Sequence, residues 1–380
     1  MPLRLEREAI AIGKVRKRSQ QFLMNDPFFP GLLSHLPEPP RKVALMRASR
    51  IGDFICATPA FRALRMALPN AEITLIGMPF VEELMVRSPH IDRFFPFPGF
   101  PGMAEQFFDA RKTVQFFQQM QAEQFDLAIQ MHGSGVYSNP FTLMLGARVT
   151  AGFVREGDPP GRLDAVLPMP IKMHEVRRVL ALTTFLGASP QGEETEFPLL
   201  AEDMKAAAGL LAGVEKPLIG LHPAAREATK RWAPERFMAV GRELQQRYGG
   251  TVVVLGGPEE LPLAESIAEN IGNSCLNLAG KTSLAVLGGV ILQLCVLVTN
   301  DSGPAHVAYA LGTPTVTVFG GTDPTVWGPL KSDRNRVLAH EIPCRPCDYG
   351  ECPVGYTCLE KVTVQQVVED ALRVIKLKGI

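Results

Sequence analysis

From residue 42 onward, short apolar runs alternate with longer stretches in which apolar residues recur every three or four positions. The short runs, rich in Val, Ile and Leu, read as strands buried on both faces. The longer stretches read as helices packed on a sheet. In the first half this pattern predicts strands at 42–47, 72–77, 93–95, 125–130 and 149–153, and helices at 54–67, 81–87 and 103–124. Residues 156–169 read as loop, 172–186 as helix and 189–198 as linker. The second half repeats the grammar, with strands at 217–222, 251–256, 275–278, 296–299 and 315–319. Its helices fall at 234–248, 259–271, 283–294 and 304–312. Strands alternating with helices imply parallel sheets covered on both faces. The expected fold class is α/β, with two domains at 41–195 and 196–360 and a cleft between them. A closing helix at 361–380 follows. Thr363 is its candidate N-cap, and Val364, Val367, Val368, Ala371, Leu372 and Ile375 share one face.

Residues 1–40 break the pattern. Met1 to Met24 carry six Lys or Arg and two Glu, and Leu5, Ile12, Val15 and Phe22 fall near one helical face. Two readings are open: a basic amphipathic helix on an anionic membrane surface, or a solvated N-terminal extension. Pro27, Pro30, Pro37, Pro39 and Pro40 then form a linker. Composition narrows the class. With 46% apolar residues and 39 basic against 39 acidic side chains, the chain forms a core and has no global charge for nucleic acid. No apolar run reaches the roughly 20 residues that span a bilayer. No secretory signal pattern is visible, so the expected compartment is the cytoplasm, with the inner face of the membrane as a candidate peripheral contact. Seven cysteines, an odd number, argue against a secreted disulfide framework.

Candidate chemistry lies where expected strands end. After 296–299 comes Asn300-Asp301-Ser302-Gly303-Pro304, then a helix carrying His306. Polar groups at the C-terminal end of a parallel strand, followed by a helix N-terminus, suit a phosphate. After 42–47 comes Arg50-Ile51-Gly52-Asp53. Gly52 permits a tight turn, and Asp53 is either an N-cap or a general base. After 217–222 a loop runs from His222 to Lys230-Arg231-Trp232. It reads either as a diphosphate-neutralising segment or as a surface loop with Trp232 packed as a lid. Gly320–Pro324 ends the next strand and would line the same crevice.

Four segments together resemble glycosyltransferase family 9, the ADP-heptose:lipopolysaccharide heptosyltransferase family. They are RASRIGDFICATPAFRALRMALP at 47–69, GLHPAAREATKRWAPERF at 220–237, LAGKTSL at 278–284, and NDSGPAHVAYALGTPTVTVFGGTDPTVWGP at 300–329. The likeness spans about 42–375. It implies a GT-B fold of two Rossmann-like domains, the acceptor domain first and the nucleotide-sugar domain second. It implies inverting transfer of a heptose from ADP-heptose to a lipid-linked saccharide acceptor of the lipopolysaccharide core. By the same resemblance Asp53 is the base, Lys230 contacts the donor phosphates, and Asp301, Ser302, Gly303 and His306 bind the nucleotide diphosphate. Gly52, His222 and Trp232, at the ends of the same strands, complete the candidate donor set. Cationic and N–H groups around a diphosphate can stabilise its departure without a metal, and no Asp-x-Asp pair is present.

The last cysteines are spaced Cys344-x2-Cys347-x4-Cys352-x5-Cys358. Four thiolates this close could close a structural zinc site or hold an iron–sulfur cluster, although the family resemblance also covers this Pro-Cys-rich region. The other reading is reduced cysteines in a rigid loop. Two rival functions share the expected architecture. A nucleotide-sugar epimerase or hydrolase would turn over donor without acceptor. A non-catalytic binding protein would have no use for Asp53.

Overall fold

The computed structural model describes residues 26–377 except 332 and 348. The N-terminal helix expectation lies outside the described residues. The first half contains α1 (Leu32–His35), β1 (Lys42–Arg47), α2 (Ile51–Ala67), β2 (Glu72–Gly77), α3 (Glu82–Met85) and β3 (Arg93–Pro96). It continues with α4 (Ala110–Glu123), β4 (Leu127–Gln130), α5 (Ser138–Met144), β5 (Val149–Val154), β6 (Ala165–Pro168) and α6 (Glu175–Leu186). The second half opens with α7 (Ala201–Leu210), β7 (Leu218–His222), α8 (Pro234–Tyr248), β8 (Thr251–Val254), α9 (Leu261–Ile271) and β9 (Cys275–Asn277). Then come α10 (Leu284–Gln293), β10 (Val296–Asn300), α11 (Gly303–Leu311), β11 (Thr315–Val318) and α12 (Pro324–Trp327). The chain closes with β12 (Asn335–Leu338), α13 (Thr357–Glu360) and α14 (Val364–Leu377).

Two parallel sheets of six strands result, ordered β3-β2-β1-β4-β5-β6 and β12-β11-β10-β7-β8-β9. In each, the order reverses beside the first strand of its half, β1 or β7. That reversal opens a crevice above the strands' C-terminal ends. The central strands are buried on both faces because both carry continuous apolar runs, such as Val43–Met46 and Val296–Val298.

Four segments differ from expectation. The helix expected at 103–124 starts only at Ala110, where the Asp109 carboxylate accepts from the Lys112 N–H. Ahead of it, Gly99 packs so tightly on the Phe107 carbonyl that the chain must turn there. Residues 156–169 were expected as loop but include edge strand β6, which pairs Ala151 with Ala165. Residues 201–210 form α7, whose small residues pack on Gly289 of α10. Edge strand β12 adds to the second sheet beside β11. The closing helix forms as expected, with the Gln366 N–H donating to Thr363 Oγ1 at 3.2 Å. Its Val367, Val368, Ala371 and Ile375 are buried with β7, β10 and β11.

The largest apolar cluster crosses between the sheets. It runs from Val43 and Leu45 through Phe54, Phe61 and Leu64 of α2 to Val307 and Ala308 of α11 and Ile291 of α10. Polar staples join the halves further out. Arg87 forms a fork with Asp203 at 2.8 and 2.9 Å. Glu83 caps α10 by accepting from Ser283 Oγ and the Leu284 N–H at 2.6 and 3.0 Å. These contacts set two strand-end crevices face to face.

Candidate active site

The first wall grows from β1. Its last residue, Arg47, leaves the sheet as a buried cation, 3% exposed. Such a charge is tolerated only when it is paired, and here both Nη atoms are, while the buried Nε has no hydrogen-bond partner among the described residues. Its Nη1 donates to the Met131 carbonyl. Its Nη2 donates at 2.8 Å both to the Asp53 backbone carbonyl and to Glu175 Oε1. Glu175, in the first turn of α6 and 4% exposed, also pairs through Oε2 with Arg178. Asp53 sits in the first turn of α2, whose N-cap is Arg50. The N-cap reading of Asp53 therefore does not hold. Its carboxylate stands 3.7 Å from Arg47 Nη2 and remains 28% exposed. Burial raises its pKa to about 6, against the lowering pull of Arg47, with Glu175 adding to the rise.

The second wall grows from β7, β10 and β11. Lys230 lies in a short turn at 228–230 and reaches Asp301 Oδ2 at 3.2 Å. Asp301 also accepts from Thr322 Oγ1 at 2.6 Å. Ser302 is the N-cap of α11, but its hydroxyl makes no cap bond. It lies 3.1 Å from His222 Nδ1, which leaves the Gly303 N–H at the head of α11 free of a side-chain cap; Pro304 has no N–H, and the Ala305 N–H donates to the Ser302 carbonyl at 3.1 Å. His306 is buried inside α11, and burial lowers its pKa to about 4, so its imidazole is neutral at physiological pH.

The walls touch at two glycines. A β-carbon on Gly52 would stand 2.6 Å from His306 Cδ2, and one on Gly303 would stand 2.1 Å from Ile51 Cγ2. Only glycine allows the N-terminal turns of α2 and α11 to meet this closely. Cys56 Sγ adds a 3.7 Å contact to His306 Nδ1, and His174 Nε2 reaches the Gly328 carbonyl at 2.8 Å.

The structure brings Gly52, Asp53, Lys230, Asp301, Gly303 and His306 to this junction, with Ser302 and His222 just behind. Trp232 requires correction. It is 1% exposed, its Nε1 donates to the Val362 carbonyl at 3.1 Å, and its ring packs on Phe237. A ring held in the core cannot contact a donor or act as a lid. Its backbone N–H instead donates to Asn300 Oδ1 at 3.0 Å, while Asn300 Nδ2 donates to the Pro223 carbonyl at 2.7 Å. One buried amide thus ties both ends of the Lys230 loop to β10.

Sequence reasoning assigned no role to Arg47, Glu175 or Asn300. Arg47 and Asn300 had a legible signal, since each is a polar residue closing an apolar strand. Glu175, 128 residues from Arg47, had none.

The zinc expectation also changes. Cys344, Cys347, Cys352 and Cys358 line a cavity of about 230 Å³ and all are free thiols. Among the described residues no group of three or more His, Cys, Asp or Glu side chains is placed to hold a metal ion. The sulfurs have separate partners. Cys358 is buried in the second core, Cys352 donates to the Gly355 carbonyl at 2.8 Å, and Cys347 packs on Gly321.

The family model for glycosyltransferase family 9 (heptosyltransferase) matches residues 113–357. The chain belongs to this family. The glycosyltransferase is 26% identical over 356 residues to lipopolysaccharide heptosyltransferase 2 of Salmonella typhimurium, covering 89% of this chain and 100% of that protein. It is 23% identical over 309 residues to the lipopolysaccharide core heptosyltransferase OpsX of Haemophilus influenzae, covering 80% and 86%. Among solved structures, a family 9 glycosyl transferase from Veillonella parvula aligns with a TM-score of 0.75 at 22% identity, over 89% of this chain and 98% of that one. The E. coli ADP-heptose lipopolysaccharide heptosyltransferase II aligns with a TM-score of 0.73 at 22% identity, over 89% and 100%. The fold is therefore GT-B. No helix among the described residues is long and apolar enough to cross a membrane.

Proposed function

We propose that this glycosyltransferase moves a heptose from ADP-heptose to a saccharide of the lipopolysaccharide core, with inversion and without a required metal. The observation that carries the reading is the pairing of walls. A carboxylate with a pKa near 6 faces Lys230 and the N-terminal turn of α11 across a closed glycine contact. The names of the family's heptosyltransferases supply the sugar and the acceptor class.

In this reading Asp53 takes the proton of an acceptor hydroxyl as its oxygen bonds to the anomeric carbon. The bond from that carbon to the donor phosphate oxygen breaks, and ADP leaves with the electron pair. One displacement inverts the centre. Lys230 and the positive N-terminal end of α11, with the Gly303 N–H, receive the growing negative charge. Asp301 and Thr322 hold Lys230 extended over the crevice until a diphosphate, the stronger anion, competes for it.

A lipid-linked acceptor also needs a face turned to the membrane. The loops after β3 and β4 lie at the cleft end of the first sheet and expose Phe107 (98%), Phe108 and Tyr137, with Arg111 and Lys112 one turn on. Aromatic and basic groups together suit peripheral contact with an anionic surface. Replacing Phe107 and Phe108 by Ser is expected to weaken binding to anionic vesicles, and unchanged binding removes this face from the reading.

The main test is thermal-shift binding with ADP, UDP, GDP and CMP, followed by transfer from ADP-heptose to heptose-deficient lipopolysaccharide. Stabilisation selective for ADP, with a new heptosyl linkage in the product, is the expected result. Preference for UDP would discard the heptose donor. Donor turnover without acceptor would point instead to a hydrolase or epimerase.

A further inference from the structure

Arg47 is the nearest cation to Asp53 on the first wall, yet it does not bond the Asp53 carboxylate. Its Nη2 spends its short contacts on the Asp53 backbone carbonyl and on Glu175 Oε1, both at 2.8 Å, and stays 3.7 Å from Asp53 Oδ1. Nη1 is committed to the Met131 carbonyl. Glu175 is fixed from its other side by Arg178, which is itself held by the carbonyls of Pro170, Ile171 and Met173. A buried guanidinium next to a carboxylate would normally close a two-pronged pair and make that carboxylate a weak base.

We infer that Glu175 is a positioning residue: by engaging Arg47 from α6 it prevents a closed Arg47–Asp53 ion pair and leaves Asp53 free to accept a proton. This rests on the reading of Asp53 as the base. Arg47 still orients Asp53, but through the backbone carbonyl, while Glu175 cancels much of its field at the carboxylate. The other charged group facing Asp53 is Lys230, from the second wall. His306 touches the neighbouring Gly52, and His132 lies near Arg47. Both imidazoles are held at about 4, chiefly by burial, so neither titrates near neutrality. The device explains why a carboxylate pair with Arg47 and Arg178 is buried beneath the crevice floor, where two apolar side chains would be cheaper to fold.

The test is a direct titration of the Asp53 carboxyl by carbon NMR in protein labelled at aspartate Cγ, with the signal assigned by its loss in Asp53→Asn. In Glu175→Gln, which keeps the shape, Arg47 acts uncompensated and the Asp53 midpoint is expected to fall by about one pH unit. In Arg47→Gln, with Arg178 still holding Glu175, it is expected to rise by a similar amount. The Glu175→Gln shift decides the matter, and the opposite shift in Arg47→Gln checks that the field of Arg47 reaches Asp53. A purely structural Glu175 would lower the thermal midpoint of Glu175→Gln and leave its Asp53 titration in place, which would overturn the inference. The base reading fails separately, if Asp53→Asn retains transfer. Glu175→Gln rates add a second readout: the acid limb of kcat/KM moves with the NMR midpoint, whereas a pKa belonging to the substrate would not move between variants.

Discussion

The two walls of the cleft use buried charge in opposite ways. On the first wall the proposed reactive group is the Asp53 carboxylate, and its neighbouring cation, Arg47, pairs with Glu175 at 2.8 Å rather than closing on Asp53 at 3.7 Å. On the second wall the proposed anion-binding group is the Lys230 cation, and its neighbouring carboxylate, Asp301, holds it at 3.2 Å. A base must be free to gain a proton, so pairing would disable it. A cation awaiting an anion loses little by a provisional partner, because a diphosphate carries more charge than one carboxylate. In the proposed mechanism the same strand–loop–helix unit, used twice, therefore serves proton uptake on one side and anion binding on the other.

Breaking the first wall is expected to have the largest effect. Asp53→Asn should lower kcat by about 10³-fold while donor affinity is retained. Steady-state transfer assays beside nucleotide thermal shifts check both halves, and a loss of donor binding equal to the loss of kcat would contradict the division between walls. Lys230→Ala should cost about 10²-fold in kcat/KM, with weaker stabilisation by ADP. If its effect appeared without any change in ADP binding, the second wall would not be the anion side.

The glycine seam comes next. Gly52→Ala places a methyl 2.6 Å from His306 Cδ2 and should destabilise the closed arrangement by about 1–3 kcal/mol, read from urea unfolding. An unchanged unfolding midpoint would mean that the walls separate without cost.

Stability against pH sharpens the contrast further. Asp53 has a folded pKa of about 6 against an ordinary 3.8. The folded protein therefore holds a proton between those values that the unfolded chain has released. Its contribution favours folding at low pH and is lost as pH rises through 6. Asp53→Asn should accordingly be more stable than the parent at pH 8 by roughly 1–3 kcal/mol, with the gain vanishing towards pH 4. A gain independent of pH would assign it to packing. The smallest functional effect is expected at Trp232. Trp232→Phe should lower stability by about 1 kcal/mol, through loss of the bond to the Val362 carbonyl, and leave donor affinity unchanged.

Legibility varied with burial. The central strands could be read because burial on both faces demands unbroken apolar runs such as Val296-Leu297-Val298. Of the edge strands, β3 and β9 were read but β6 and β12 were not. β6 ends in Pro168 and is four residues long, and β12 carries Asn335 and Arg336 and is only half-buried. Helix α7 escaped for another reason. Only Asp203 and Ala207 are buried in it, so its apolar face is made of small residues and shows little periodicity. Trp232 was misread because a large aromatic beside a basic loop has the same local pattern whether it faces a ligand or a core.

By itself the sequence determined the α/β alternation and the strand-end loops that carry Asp53, Lys230 and the Asp301–His306 segment. These depend on local periodicity and on turn and cap chemistry, all written within a few residues. Only the tertiary structure decided that Gly52 meets His306, that Asn300 ties down the Lys230 loop, and that Glu175 reaches Arg47 across 128 positions. Electrostatic tuning of a buried group depends on distance and dielectric in space, and separation along the chain carries neither.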